Sequence, residues 1–369
     1  MSMLIWLLIF PIAWPFIAKA IWPKVLNWAE VGWNVGIVVV LVTIVFACGR
    51  MSQMSDTEIW NGQVTAKHRD HGSYIESYSC HCYTTCSGSG SKRSCSEHCQ
   101  TCYRDHYTVH WYLNSTLGDI GIQSLDWTSR SVYNEPDPRA YVKAFVGEEC
   151  SEEHSYDNYV RAVPSSLFGT VSQMTQQKFA AVIPAYPRVY DIYHIQRVLN
   201  VKSTVSADTI DQFNYELNQS LTTLSAEKQV NVIVIVTGIL DPMYRYAVEN
   251  NWLGGKKNDA VVFIGTGDGK KIDWVDVMTW GLNKGNGVFR SELKDNITAI
   301  GVVDPTKLVG TIHDTIKAKF TRPHMKDFEY LKKEIVPPTW VIWFAFILSV
   351  VGSLGISFMF YRMETSSDY

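Results

Sequence analysis

The sequence lacks most of what would name a chemistry. Its formal net charge is −3 over 369 residues, so no global field draws it to nucleic acid. It has no acidic tail, no collagen period and no long internal repeat. It has no HExxH, the helix motif of one class of zinc enzymes. The run GTGDGKK at 265–271 fits neither GxxxxGK[ST] nor GxGxxG, the two common phosphate loops. No Ser-His-Asp arrangement is legible, although such triads assemble from distant residues. The ten histidines are scattered, and five of them (His71, His81, His98, His106, His110) fall around a group of cysteines.

What is present is organised around Val230–Val277. VNVIVIV is an apolar, β-branched run of strand length. DPMYRYAVENNW follows as a helix, with Asp241 as cap and Pro242 at its first position. GGKK breaks that helix. DAVVFIG is a second buried strand, GTGDG a tight hairpin turn whose glycines supply positive φ, at Gly267 in particular, and KKIDWVDV a third, half-exposed strand. Two buried strands joined through a helix are the core of an α/β layer. Upstream, Ser206 caps a helix whose Ile210, Phe213, Leu217, Leu221 and Leu224 share one face. Downstream, 289–300 and 305–320 read as helices, the second with Pro305 at its start after Asp304.

Both ends of the chain are hydrophobic. Trp340–Phe360 is an uncharged run long enough to span a bilayer, with Trp340 and Tyr361 as interfacial anchors. Val31–Ala47 is equally clear, between Trp28 and Trp33 at one end and Arg50 at the other. Met3–Ile21 is interrupted by Pro11 and Pro15 and fits a kinked span or a re-entrant helix. It has no basic n-region and reads as a retained segment rather than a cleaved signal peptide. The expectation is two to three transmembrane helices. With three spans, residues 50–337 and the N-terminus share one side. Lys19, Lys24 and Arg362 favour that side being extracytoplasmic, while Arg50, Lys332 and Lys333 argue against it. In the last span Ser349, Gly352, Ser353 and Ser357 form a small-residue stripe, the kind of surface on which helices approach closely. It is a candidate contact between copies of the chain. Glu30 and Asn34, one turn apart, are expected at the membrane interface.

Between the first two spans and the α/β core, EIWNGQVTAKHRD, YTVHWYL, DIGIQSLDW and AYVKAFV read as short strands of a small β-barrel or sandwich. Six thiols lie within one stretch: Cys80, Cys82, Cys86, Cys95, Cys99 and Cys102, with Cys150 further on and Cys48 at a membrane end. As disulfides they would staple a loop-rich domain in an oxidising compartment. As ligands, Cys95, Cys99 and Cys102 with His81, His98 or His106 could hold zinc. Zinc sites usually pair two CxxC hooks, and only Cys99–Cys102 is one, so disulfides are the expected state. Cys150 is the expected odd thiol, unpaired or bridging to a neighbouring subunit. A redox role for Cys99–Cys102 would need a thioredoxin-like context that this half lacks.

The helix at 206–224, VNVIVIV, the YAVENNW helix and NDAVVFIGTGDGKKI, followed by further helices, together resemble the TPM-domain family over about residues 200–320. The resemblance implies a membrane-tethered α/β domain and, by extension, an envelope phosphatase. Relatives commonly carry an acidic pair at the turn where this chain has Gly267–Asp268–Gly269, so one acid remains here. The layout of the whole chain resembles uncharacterised membrane proteins of large tailed bacteriophages. Asp259 and Asp268 are the candidate calcium ligands, although they stand at opposite ends of one strand and a calcium site needs several oxygens converging.

The expected protein is thus an α+β membrane protein. Residues 1–50 form a membrane hairpin of two hydrophobic segments. Residues 51–168 form a Cys-rich β domain, with the boundary near 165–172, and 169–199 a connector. Residues 200–325 form a TPM-like α/β domain and 338–361 a transmembrane helix. The expected role is a self-associating scaffold without a cofactor, zinc or calcium being the alternatives. Its soluble domains would lie on the periplasmic or extracytoplasmic side. Its expected partners are the bilayer, a second copy of itself and other envelope proteins, with no nucleic acid.

Overall fold

A computed structural model of the chain describes residues 2–88, 94–128, 136–163, 172–282 and 285–367. The boundary expected at 165–172 falls almost entirely outside them.

Three helices are long and apolar enough to cross a membrane: α1 (Ser2–Ile21), α2 (Trp28–Met54) and, after the elements named below, α10 (Thr339–Ser367). The first is an unbroken helix through Pro11 and Pro15, so three apolar helices are present rather than two. Asn27 caps α2 in a reciprocal box with Glu30, and Lys19 donates to Pro23 O at 2.7 Å, closing the loop between α1 and α2. The bundle packs through Leu7, Val38, Val42, Phe46 and Ala345. Asn34, in the first half of α2, bonds to Ser353 and Ser357, in the second half of α10. Gly49 lies against Val341 at the other end, so α2 and α10 are antiparallel. Trp22 meets Tyr361 with ring centroids 5.3 Å apart, so α1 runs with α10. The N-terminus and the soluble part therefore share one end of the bundle.

The soluble part begins where α2 runs straight into β1 (Ser55–Ser87), followed by β2 (Ser94–Ser115), β3 (Asp119–Trp127), α3 (Arg139–Lys143), β4 (Glu149–Asp157) and α4 (Tyr159–Ala162). The four strands form one open antiparallel sheet in the order β3-β2-β1-β4, not the barrel or sandwich of short strands expected. Part of AYVKAFV is the helix α3 rather than a strand. The reason lies in the Ser-, Tyr- and Cys-rich stretch, which continues the strands instead of interrupting them. β4 covers β1 only from Ser55 to Gln63, and β3 covers β2 only from Tyr107 to Asn114. Beyond the Ser73–Tyr107 pair β1 and β2 pair only with each other, out to Ser87–Ser94. At 3.3 Å per residue this two-stranded ribbon is about 45 Å long.

The chain then forms α5 (Gln173–Phe179), the small hairpin β5 (Val189–Tyr190) and β6 (His194–Ile195), and β7 (Val198–Val201). Next come α6 (Ala207–Lys228), β8 (Asn231–Thr237), α7 (Tyr244–Asn251), β9 (Asp259–Gly265), β10 (Trp274–Thr279), α8 (Asn286–Ile300) and α9 (Pro305–Lys319). The second sheet has the order β10-β9-β8-β7, with β7, β8 and β9 parallel and β10 antiparallel. Its strands alternate between two cores. Val232, Val234, Val236, Val262 and Ile264 face α6, α8 and α9, while Ile233, Ile235, Val261 and Phe263 face α5 and α7 with Trp252. Burial on both faces explains why these strands read as unbroken apolar runs. The connector is more than a spacer: Phe179 of α5 packs into the second core, and β7 belongs to the sheet. Helix α7 starts at Tyr244, later than DP suggested, because Asp241 and Pro242 form the preceding turn.

Candidate functional site

Two features stand apart from ordinary packing: the ribbon, and the seam at its root where the two soluble parts meet.

The ribbon is cross-linked by three disulfides, Cys80–Cys102, Cys82–Cys99 and Cys86–Cys95. All six clustered thiols are used, so the two groupings with metal-like spacing, Cys80/His81/Cys102 and Cys82/Glu97/Cys99, are built on oxidised cysteines, which are not thiolate ligands. The disulfides flank a bulge between Cys80 and Tyr83, where His81 has φ +46°. Cys150 is not part of this cluster. It is fully buried at the base of the sheet beside Val64, Leu113 and Tyr193, and burial pushes its thiol up to about 12. Cys48 is the second free thiol, exposed on α2.

Along the ribbon Ile75, Tyr78, Tyr83 and Tyr103 are exposed. Nearer its root, His106 donates from Nε2 to the Glu76 carboxylate at 2.8 Å and from Nδ1 to the Asp126 carboxylate at 3.2 Å, and stacks on Tyr74. The Glu76 bond is the main cause that raises the His106 pKa. Both ring nitrogens of His106, a zinc candidate by sequence, are taken up by Glu76 and Asp126 rather than directed at the cysteines.

At the seam, Asp56, Glu58 and Trp60 alternate along one face of β1. Asp56 is buried between Lys256, Arg161 (3.1 Å) and Asn158 (2.7 Å). Burial alone would raise its pKa, but these partners hold it below the usual range. Glu58 meets Lys257 at 3.3 Å and Arg322. Asn258 donates to Ile59 O and Asn61 to Val230 O, both at 2.8 Å. The sequence reading missed this seam. Its signal was two acids at i and i+2 on a strand, which need cations opposite, and the Lys256–Lys257 pair taken only as a helix breaker.

Asp259 and Asp268 are not brought together. Asp259 is buried at the start of β9, accepting from Tyr186 Oη at 2.9 Å, Asn231 Nδ2 at 2.8 Å and Lys256 N at 2.7 Å. Donors surround it where a cation site needs oxygens, and burial raises its pKa to about 6. Asp268 is exposed in the β9–β10 turn and caps it, accepting from Lys270 N and Lys271 N at 2.8 Å. The positive φ of this turn is at Gly269 (+74°), not at Gly267.

The stripe on α10 is covered within the chain. Ser349 Oγ donates to Leu7 O at 3.1 Å, Asn34 Nδ2 donates to Ser353 O and Ser357 Oγ, and Gly352 faces Val38. Asn34 is accordingly buried between the helices. Small residues here let three helices of one chain close up, and the stripe is not a free surface for a second copy.

Beside the seam a cavity of about 510 Å³ opens between the first residues of β1, α4 and the loop after α7. Compared with protein-family models, curated proteins and solved structures, the chain gives no match.

Proposed function

We propose that this chain is a membrane-anchored, self-associating scaffold that presents a disulfide-braced β arm beside a TPM-like α/β layer on the extracytoplasmic face of a bilayer. One observation carries the reading: the ribbon beyond Ser73–Tyr107 is paired only with itself, leaving both edges open and Tyr74, Ile75, Tyr78, Tyr83 and Tyr103 exposed. Open strand edges are templates for further pairing, and exposed tyrosines suit protein contacts. Three disulfides keep the arm in shape where it has no core of its own, and they favour an oxidising compartment. The TPM-like assignment is supported by the strand–helix–strand order of 198–265 and the helices after it.

The test is chemical cross-linking and light-scattering mass of the full chain in detergent, with Tyr83→Ser and Tyr103→Ser beside the wild type. Oligomers that weaken in the variants are expected. A wild type that stays monomeric and uncross-linked sinks the self-association. A phosphatase reading would need acids converging on a substrate. Asp268 instead caps its turn, and Asp273 accepts from Gly267 N at 2.7 Å. Phosphoester hydrolysis by the purified protein, lost in Asp268→Ala, would restore it.

A further inference from the structure

The cavity beside the seam has an unusual charge inventory and an unusual height. Its charged lining consists of Asp56, Glu153, Arg161, Arg188 and Lys256, with Trp252 as an apolar wall. Asp56 is satisfied by Arg161 and Lys256. Arg188 and Glu153 are exposed, and their side chains have no hydrogen-bond or ion-pair partner among the described residues. Arg161 keeps nearly half of its side chain exposed, 46%. The opening therefore offers unspent charge of both signs.

Its height follows from the bundle. Trp340 and Trp343, exposed at the start of α10, are placed where aromatic side chains sit at a membrane–water boundary. Gly49 of α2 is level with them through its contact with Val341. Ser55 lines the cavity and stands six residues further along the same helix and its cap, about 9 Å at 1.5 Å per residue. The headgroup layer of one leaflet is about 5–8 Å thick. The cavity therefore opens at the outer edge of the headgroups. Arg161 fixes this geometry by donating to Ser55 O at 2.9 Å.

We infer that this cavity binds a zwitterion carrying a phosphate and an ammonium group, as in a phosphoethanolamine headgroup, the phosphate between Arg188 and Arg161 and the ammonium at Glu153. The inference is independent of the arm. Two opposite charges that line one cavity, and whose side chains have no partner among the described residues, are completed by such a ligand without adding a net charge. A purely anionic headgroup would leave Glu153 facing it.

The test uses the full chain purified in detergent, delipidated, and offered phosphatidylethanolamine and phosphatidylglycerol in competition, with native mass spectrometry as the readout. The expected result is one retained phosphatidylethanolamine per chain, with retention reduced about tenfold by Arg188→Ala and again by Glu153→Gln, since each removes one charge-assisted contact. Lys294→Ala, away from the cavity, should leave it unchanged. Neither side chain has a partner among the described residues, so thermal unfolding should not move, which separates lost binding from lost fold. Soluble phosphoethanolamine should displace the lipid. Displacement at concentrations similar to the lipid's own identifies a free ester as the ligand, and displacement only at far higher ones identifies the membrane lipid. Equal retention in both variants, preference for phosphatidylglycerol unaffected by Glu153→Gln, or no displacement by phosphoethanolamine would each overturn the inference.

Discussion

Arg197 donates from Nη2 to Ser151 Oγ at 2.8 Å, and that bond crosses from the α/β layer to the arm-bearing sheet. The guanidinium is fully buried. Its other acceptors are neutral amides: Asn218 at 2.6 Å, Asn231, and Asn61 on β1. Burial pulls its pKa down to about 10, so it remains charged at neutral pH. A buried charge held by neutral dipoles makes the relative placement of the two sheets specific, because any shift strands it.

Arg197→Met should therefore cost about 3 kcal/mol or more, since it leaves several buried side-chain oxygens without donors. Scanning calorimetry of the full chain in detergent should show a lower melting temperature and the single transition splitting in two as the sheets uncouple. An unchanged, single transition would mean that the seam is held without Arg197, by the ion pairs of Asp56 and Glu58 and the bonds from Asn258 and Asn61.

Asp259 gives the seam a pH dependence. Its pKa is raised, by burial first, from the ordinary 3.8 to about 6. The folded state thus binds a proton in the window between those values that the unfolded state has released, and this group's contribution to stability falls as pH rises through it. Asp259→Asn removes the effect. The melting temperature of the variant, relative to wild type, should become lower as pH is taken from 7 to 4, by the equivalent of up to about 2 kcal/mol. A constant difference across that range would place the pKa near its ordinary value.

The disulfides should act locally. Each bridge closes a short loop, with separations of 22, 17 and 9 residues, and stabilises by about 3 kcal/mol in such loops. Reduction should raise hydrogen exchange across 74–106 and leave 231–265 protected, because the arm shares no core with the layer. Thiol counting on the unreduced protein should give two thiols, Cys48 at once and Cys150 only after denaturation, as expected of a fully buried thiol. A melting transition lost altogether on reduction would contradict this.

The β9–β10 turn separates backbone demand from side-chain demand. Gly269 combines φ +74° with Thr204, whose Oγ1 would stand 2.7 Å from an added Cβ, so Gly269→Val should cost about 2 kcal/mol or more. Gly267→Ala meets only ordinary contacts and should be near neutral. Asp268→Asn keeps the accepting oxygen for Lys270 N and Lys271 N and should be near neutral too. Urea unfolding of the three variants distinguishes these outcomes, and a large loss in Asp268→Asn would point to a ligand at that carboxylate.

In the bundle, Asn34→Leu removes both bonds to α10 and should cost about 1 kcal/mol in a bilayer or detergent. Thermal unfolding in detergent measures it. No change would mean that packing around Val38 and Val42 alone joins the helices.

Much of the fold is legible locally. The caps at Ser206 and Asp304, the apolar face of α6 and the paired runs of β8 and β9 are each set by residues a few positions apart, and each appears where the pattern puts it. The arm was misread for an equally local reason. Its Ser, Tyr and Cys residues alternate without an apolar face, so the sequence resembles a loop, and the backbone ladder with its cross-strand disulfides is what the extended arm rests on. The stripe on α10 shows a different limit. Small residues announce a close helix contact but not whether the neighbour is α2 of the same chain or a second molecule.

By itself, then, the sequence determined two of the apolar helices, the α/β core and a cysteine cluster suited to disulfides, because periodicity, length and spacing are properties of short windows, while the unbroken course of the first helix through Pro11 and Pro15 came from the structure. The tertiary structure alone decided which cysteines pair, that Ser349 and Ser353 face inward, and that Asp56, Glu58, Arg197 and Lys256 meet in one seam. These residues are separated by up to 200 positions. Their conjunction depends on β1 leaving the membrane beside the ends of β8 and β9, a placement that no local pattern encodes.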